Sequence, residues 1–182
     1  MQLKGKLVLS ATLLALCGVA WGHGGSQHAP SAPKKQTQVI EEKAFGRTGD
    51  SKQVSRTIVV DMHDNMRFLS SGPGVRRASP GASDEIRINV GDTVKFVVGN
   101  KGKVMHEMVI GTMKELEEHA ELMRKHPGME HDEPYMAHVS PGKKEEIVWQ
   151  FTKPGEFYYA CLIPGHFEAG MIGKIVVSAQ RM

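Results

Sequence analysis

The amino-acid sequence predicts an all-β protein, a sandwich of antiparallel sheets with one short helix inserted before the later strands and a flexible N-terminal tail. From residue 56 onward, short runs of alternating apolar and polar residues lie between turn residues, as in strands that bury one face. One segment breaks this alternation with apolar residues at helical spacing, and the residues before 56 lack a sustained apolar period. With 182 residues, the chain can form one compact domain of about 100–150 residues plus tails.

Residues 1–22 have the form of a secretory signal peptide. Two lysines precede an apolar run over 7–20, and small residues follow it. This run is shorter than the roughly 20 apolar residues of a transmembrane helix. We therefore expect export to the periplasm and a soluble protein after cleavage, and the sequence is compatible with cleavage after Ala20 or after Gly22.

Residues 23–55 are rich in Gly, Ser, Pro, Lys, Gln and Glu. Such a composition, without an apolar period, predicts a flexible tail. The folded domain is accordingly expected to cover residues 56–182.

The first predicted strands lie on either side of a long loop. A strand begins the series at 57–60, and the stretch 70–83 is expected to be a loop. Apolar residues alternate over 85–90, the turn residues Gly91 and Asp92 follow, and a second run occupies 93–98. This pattern favours a hairpin.

The next predicted strand places a histidine among apolar residues. Val104, Met108 and Ile110 occupy alternate positions, and His106 lies on the same face. Because alternate residues of a strand point to one side of the sheet, His106 is expected to face the interior.

A helix and three further strands complete the predicted domain. Thr112 and Glu115 have the spacing of a capping box, and helical periodicity over 113–125 ends before a Pro-Gly pair. The segment 126–140 is expected to be an irregular loop. The later strands are an inward-facing row at Ile147, Trp149 and Phe151, followed by strands at 156–160 and 174–177.

The two cysteines have different expected fates. Cys17 leaves with the signal peptide, so Cys161 is the only cysteine of the expected exported protein and cannot form an internal disulfide. In an oxidising compartment a single cysteine is usually occupied by a metal or by an intermolecular bridge.

The loop around Cys161 carries the residues that point to a metal. Cys161, His166 and Met171 supply a thiolate, an imidazole and a thioether within one stretch that contains Pro and Gly turn residues. Soft sulfur favours Cu(I), and imidazole also suits Cu(II). His106 is the best candidate for a third strong ligand, because an inward-facing imidazole would otherwise be a buried polar ring. Two His, one Cys and a distant Met form a blue-copper, or type 1, site.

These residues resemble the cupredoxin family. Cys-x4-His-x4-Met followed by 172–177 is similar to the ligand loop and last strand of rusticyanin-like bacterial cupredoxins, and the residues at 91–94 and 105–107 are similar to that family's first-histidine region. The resemblance covers roughly residues 57–178. It does not extend to the spacing of plastocyanin, which has fewer residues between Cys and His.

The resemblance implies a Greek-key β-sandwich and one-electron Cu(II)/Cu(I) chemistry. By matching position it assigns the ligands to His106, Cys161, His166 and, as a weak axial ligand, Met171. It also implies that the exposed edge of His166 is the route for electron transfer.

The chain also contains 9 His and 11 Met, more than one copper site requires. These donors predict additional, weaker copper sites, and an ordinary solvated surface or core packing is the alternative for each. Met123 is better explained by core packing. The candidate auxiliary ligands are His23, His28, Met62, His63, Met66, His119 and His126, with further donors at His131, Met136 and His138. Such enrichment resembles periplasmic cupredoxins linked to copper tolerance.

Two functions follow from this reasoning. The first is copper resistance and homeostasis, in which the protein binds copper in the periplasm and cycles it between oxidation states. The second is a dedicated electron carrier between a c-type cytochrome and a terminal oxidase or reductase. An enzyme is not expected, because Met171 fills the axial direction and no second copper cluster is evident.

The charge of the chain bears on its partners. The formal net charge is +3, and removal of the signal peptide lowers it to about +1, too little for a strong basic field. We expect copper ions and a redox protein as partners, no nucleic acid, and a monomer.

Overall fold

The computed structural model describes residues 40–127 and 131–179. The predicted signal peptide, His23 and His28 lie outside the described residues. Within the described ranges the chain forms two six-stranded sheets, which confirms the predicted β-sandwich with one short helix. No helix in these ranges is long and apolar enough to cross a membrane.

The first sheet has the strand order β1-β2-β10-β7-β3-β4. Its strands are β1 (Glu42–Lys43), β2 (Gly46–Thr48), β3 (Arg56–His63), β4 (Arg67–Ser71), β7 (Thr93–Asn100) and β10 (Lys144–Gln150). A short 3-10 turn at Ser51–Gln53 connects β2 to β3.

The second sheet has the order β5-β6-β12-β11-β8-β9. Its strands are β5 (Val75–Arg76), β6 (Glu85–Asn89), β8 (His106–Gly111), β9 (Met136–Val139), β11 (Gly155–Ala160) and β12 (Ile172–Ser178). The inner faces of both sheets contribute to one hydrophobic core.

The single described helix, α1, spans Met113–Lys125. Its capping box is formed as predicted: the Glu115 amide donates to the Thr112 hydroxyl, and the Glu115 carboxylate accepts from the Thr112 amide. The apolar stripe of the helix, with Leu116, Ala120 and Met123, packs in a second hydrophobic cluster. Core packing therefore explains Met123.

The predicted hairpin over 85–98 is wrong. β6 pairs with β5 and β12, whereas β7 pairs with β3 and β10, so the turn at Gly91 and Asp92 carries the chain from one sheet to the other. The alternation of apolar and polar residues indicates that a strand buries one face, but it does not indicate which strand lies next to it. The sheets also include two parallel pairs, β3 with β7 and β6 with β12, beside the expected antiparallel ones.

The domain begins before residue 56, in the segment predicted to be a flexible tail. Phe45 is only 1% exposed, and its ring lies 5.1 Å from that of Trp149 and 5.8 Å from that of Tyr135. β2 pairs with β10 through Thr48 and Trp149. β1 and β2 are only two and three residues long, too short to show an alternation of apolar and polar residues. In the sequence, Phe45 is therefore the main indication that this segment is buried.

Two predicted loops also contain strands. The stretch 126–140 includes β9, which pairs with β8 so that Val139 lies opposite His106. The stretch 70–83 includes the end of β4 and the short strand β5. The strand that carries His106 begins at that residue, and Val104, predicted to face inward, is 46% exposed.

Candidate metal centre

Three of the predicted ligands converge at one end of the sandwich. His106 is the first residue of β8, Cys161 follows the last residue of β11, and His166 lies in the loop between β11 and β12. One nitrogen or sulfur atom from each lies within 4.8 Å of the others. His166 Nδ1 is 3.2 Å from Cys161 Sγ, and the two imidazole centroids are 4.9 Å apart.

Among the four predicted ligands, only His166 has an accessible side chain. His106, Cys161 and Met171 are fully buried, whereas His166 is partly exposed. A group held here would therefore be shielded from water by protein and would reach the surface through the His166 ring.

The Cys161 thiol is fully buried. Burial, with a smaller contribution from the Glu107 carboxylate, raises the pKa of this thiol to about 12. Since the thiolate is the form that ligates metals, a cation bound here at neutral pH displaces the thiol proton. Burial and the neighbouring His106 lower the pKa of His166, which favours the neutral ring that a metal requires.

The two nitrogens of His106 have different surroundings. Nε2 lies 3.1 Å from Oδ1 of Asp64, while the buried Nδ1 has no hydrogen-bond partner among the described residues. Because a carboxylate only accepts, Nε2 donates to Asp64 and Nδ1 keeps its lone pair in the neutral ring. An unsatisfied buried nitrogen costs about 1–3 kcal/mol, and a metal ion would satisfy it.

Asp64 is a site residue that sequence reasoning missed. Its carboxylate also accepts from the amide of Lys103 at 2.8 Å and from that of Val104 at 3.5 Å, so it fixes the turn that leads into β8. The stretch 62–66 attracted notice in the sequence for its sulfur and imidazole donors. In the structure Met62 belongs to the hydrophobic core and Met66 packs against it, while the carboxylate of Asp64 contacts the His106 ring.

The loop that carries the other predicted ligands folds back on itself. The Cys161 amide donates to the carbonyl of Met171 at 3.1 Å, and the Met171 amide donates to the carbonyl of His166 at 3.1 Å. Gly165 and Gly170 have φ values of 90° and 82°, a left-handed conformation that favours glycine. These bonds bring Met171 beside Cys161 in the same buried cluster.

Arg67 ties this loop to the opposite sheet. Its Nη1 donates to the carbonyl of Ala169 at 3.2 Å, and its Nε donates to the carbonyl of Gly81. The ligand loop is therefore anchored at its far end by a side chain from β4.

Glu107 is a second residue that sequence reasoning missed. Its amide donates to Cys161 Sγ at 3.4 Å, one carboxylate oxygen accepts from the Leu162 amide at 2.7 Å, and the other lies 2.8 Å from Nε2 of His138. The side chain is buried. A strand position next to an inward-facing ligand is expected to face solvent, so only the structure reveals this role.

Among the predicted auxiliary ligands, His119 contacts His131: their Nε2 atoms lie 2.9 Å apart, within hydrogen-bond distance. His126 is exposed at the end of α1 and is not part of this pair. The His131 and His138 rings are 6.1 Å apart. Burial and His131 lower the pKa of His119.

The chain is similar to known copper proteins. Residues 82–178 match the family described as copper binding proteins, plastocyanin/azurin family. The chain is 48% identical over 133 residues to the copper-resistant cuproprotein CopI of Rubrivivax gelatinosus, covering 73% of each chain. It is 33% identical over 150 residues to the CopI of Vibrio cholerae serotype O1, covering 72% of this chain and 89% of the relative.

Solved structures support the fold. Reduced auracyanin from the photosynthetic bacterium Roseiflexus castenholzii matches with a TM-score of 0.53 at 19% identity, over 69% of this chain and 98% of auracyanin. Auracyanin B matches with a TM-score of 0.54 at 18% identity, over 74% and 96% of the two chains. These matches show a cupredoxin fold.

Proposed function

The chain belongs to the plastocyanin/azurin family of copper-binding proteins and has a site for one type 1 copper, and from this premise we propose that it is exported to the periplasm and protects the cell against excess copper. Its ligands in this proposal are His106, Cys161 and His166, with Met171 as a weak axial ligand. One observation supports this ligand set most directly. His106 clusters with the Cys161 thiol and the His166 ring, and its buried Nδ1 has no hydrogen-bond partner among the described residues.

The residues around the site determine what a bound ion can do. When bound, copper supplies a one-electron change between Cu(II) and Cu(I). Thiolate and thioether sulfur stabilise Cu(I), and the two imidazoles also accept Cu(II). Asp64, Glu107 and the hydrogen bonds of the loop hold the ligands in one arrangement, so little reorganisation accompanies the change of charge.

The role in copper tolerance is supported by the relatives. Both proteins described above carry the name copper-resistant cuproprotein, and each alignment spans more than two thirds of both chains. We expect a deletion strain to grow poorly in copper, and the wild-type gene to restore growth. A gene carrying Cys161→Ser should not restore it, because the thiolate is lost.

A dedicated electron carrier is the second candidate. The partly exposed His166 ring favours it, because this ring connects the buried cluster with the surface, where a c-type cytochrome or an oxidase would dock. The same deletion strain separates the two functions. A respiratory rate that falls without added copper, with unchanged growth in copper, would support the electron carrier and contradict the role in tolerance.

The spectrum of the purified protein tests the copper site itself. We expect an intense thiolate-to-copper charge-transfer band in the visible range from the Cu(II) protein, and none from Cys161→Ser. A band of equal intensity in the variant would show that the thiolate assignment is wrong.

A further inference from the structure

Two histidines meet outside the type 1 cluster. His119 comes from the middle of α1, and His131 follows the helix in the chain. Their Nε2 atoms are 2.9 Å apart, their ring centroids are 4.7 Å apart, and both side chains are partly buried. Neither residue belongs to the cluster of His106, Cys161 and His166.

The separation of the two nitrogens is that of a hydrogen bond between neutral rings, and it is also the separation that a shared metal ion would require. Imidazole nitrogens bind metals at about 2.0–2.1 Å, so two such ligands at a right angle have nitrogens about 2.9 Å apart, the value found here. A right angle between neighbouring ligands is the tetragonal geometry of Cu(II), and nitrogen and oxygen donors suit that ion. A tetrahedral site would place the nitrogens further apart.

The surroundings offer room and oxygen donors. Both histidines line a cavity of about 360 Å³ between α1, β8 and the segment that precedes β9. Glu118 and Glu133 line the same cavity, and Glu133 interacts electrostatically with His131. A cation bound to the two imidazoles would therefore lie in a cavity that two carboxylates also line, with room for water ligands.

We propose that His119 and His131 bind a second copper ion, as Cu(II), in a site with nitrogen and oxygen ligands. The choice of copper over another divalent cation rests on the proposed function, whereas the site itself rests on the geometry of the two rings. This ion increases the copper that each molecule holds without using the type 1 ligands.

The proposal is tested by titrating the purified full chain with Cu(II) and measuring bound copper, the visible band and the EPR spectrum. The variants are His119→Ala and His131→Ala, with His126→Ala as the matched control, because His126 is an exposed histidine at the end of the same helix. The expected result is that either variant loses one equivalent of copper and a tetragonal EPR signal. The control keeps both, and all three proteins keep the visible band.

The remaining outcomes are also decisive. Any copper bound through His23 and His28 contributes equally to all the proteins, so it cancels in the comparison. The visible band reports the folded type 1 site. If His119→Ala disturbs the helix enough to abolish this band, His131→Ala tests the site from outside the helix.

Equal copper stoichiometry and equal EPR spectra in all the proteins would overturn the second site while leaving the proposed function intact. Absence of the visible band from the wild-type protein would instead refute the proposed type 1 ligands.

Discussion

At the scale of single residues, the predicted ligands are held by side chains outside the predicted ligand set. Asp64 holds His106 through Nε2 and thereby leaves Nδ1 as the free donor. Glu107 holds the segment that follows Cys161 through the Leu162 amide. Asp64 thus contacts a predicted ligand directly, and Glu107 contacts the backbone next to one. Such contacts can set the geometry of a metal site before the metal binds.

Replacing Asp64 tests this orientation. In Asp64→Asn the charge is lost and an amide nitrogen can face Nε2, so the tautomer that leaves Nδ1 unprotonated is no longer favoured. We expect copper affinity to fall about 10–100-fold, measured by competition with a chelator while the visible band is followed.

The matched control for this experiment is Asp50→Asn, which removes the charge of an exposed aspartate that also accepts from a backbone amide, that of Lys52. Asp50 precedes β3, whereas Asp64 follows its far end. The control variant should leave copper affinity unchanged. Unchanged affinity in Asp64→Asn as well would show that His106 needs no orienting partner.

Replacing Met171 tests the axial position. Met171→Gln substitutes an oxygen donor for the thioether sulfur, and a harder donor favours Cu(II) over Cu(I). The reduction potential, measured by voltammetry, should decrease while copper stays bound. An unchanged potential would place the axial ligand elsewhere.

At the scale of secondary-structure elements, the short strands β1 and β2 contribute to the packing of the core. β2 extends the first sheet beyond β10, and Phe45 covers Trp149 at the edge of the core. Phe45 also approaches Tyr135, just before β9, so one side chain joins the N-terminal strands to the segment that pairs with β8. These strands therefore belong to the folded domain.

The contribution of the first strands can be measured with two substitutions. Phe45→Ala removes a buried aromatic ring and should lower the free energy of unfolding by about 3–5 kcal/mol. Ile40→Ala is the control, because Ile40 is 79% exposed, and it should change stability by less than about 0.5 kcal/mol. Urea unfolding of both variants gives the comparison, and equal midpoints would mean that the N-terminal strands are not part of the cooperative unit.

At the scale of the whole molecule, the site exists because two distant parts of the chain become neighbours. β8 pairs with β11 through Ile110 and Tyr159, which places His106 near the loop that begins at Cys161. A metal ion bound to both would cross-link the sheet and the loop. Its binding free energy then adds to the stability of the folded state.

Copper removal should therefore lower stability. At free copper about 100 times the dissociation constant, a ligand that binds only the folded state stabilises it by about 2.7 kcal/mol. The urea midpoint, followed by circular dichroism, should be higher for copper-loaded than for metal-free protein, and Cys161→Ser should lack the contribution of the type 1 ion. Identical midpoints for loaded and metal-free wild-type protein would contradict an ion that bridges the two segments.

Local patterns were sufficient for much of this protein. Three patterns were informative: the alternation within β-strands, the capping box at Thr112, and the spacing of Cys161, His166 and Met171. Each pattern spans only a short stretch of chain and depends on short-range geometry. The fold class, the helix and the copper cofactor were accordingly predictable from sequence. Which residues serve as ligands stays a prediction until the substitutions are made.

Tertiary structure alone decided which strands pair and which side chains support the site. Alternation shows that a strand has a buried face but not its neighbour, so β6 and β7 looked like a hairpin although they lie in different sheets. Phe45 and Asp64 likewise contact residues far away in the sequence, namely Trp149 and His106. Such contacts are set by the packing of the complete sandwich, and no short stretch of sequence contains both partners.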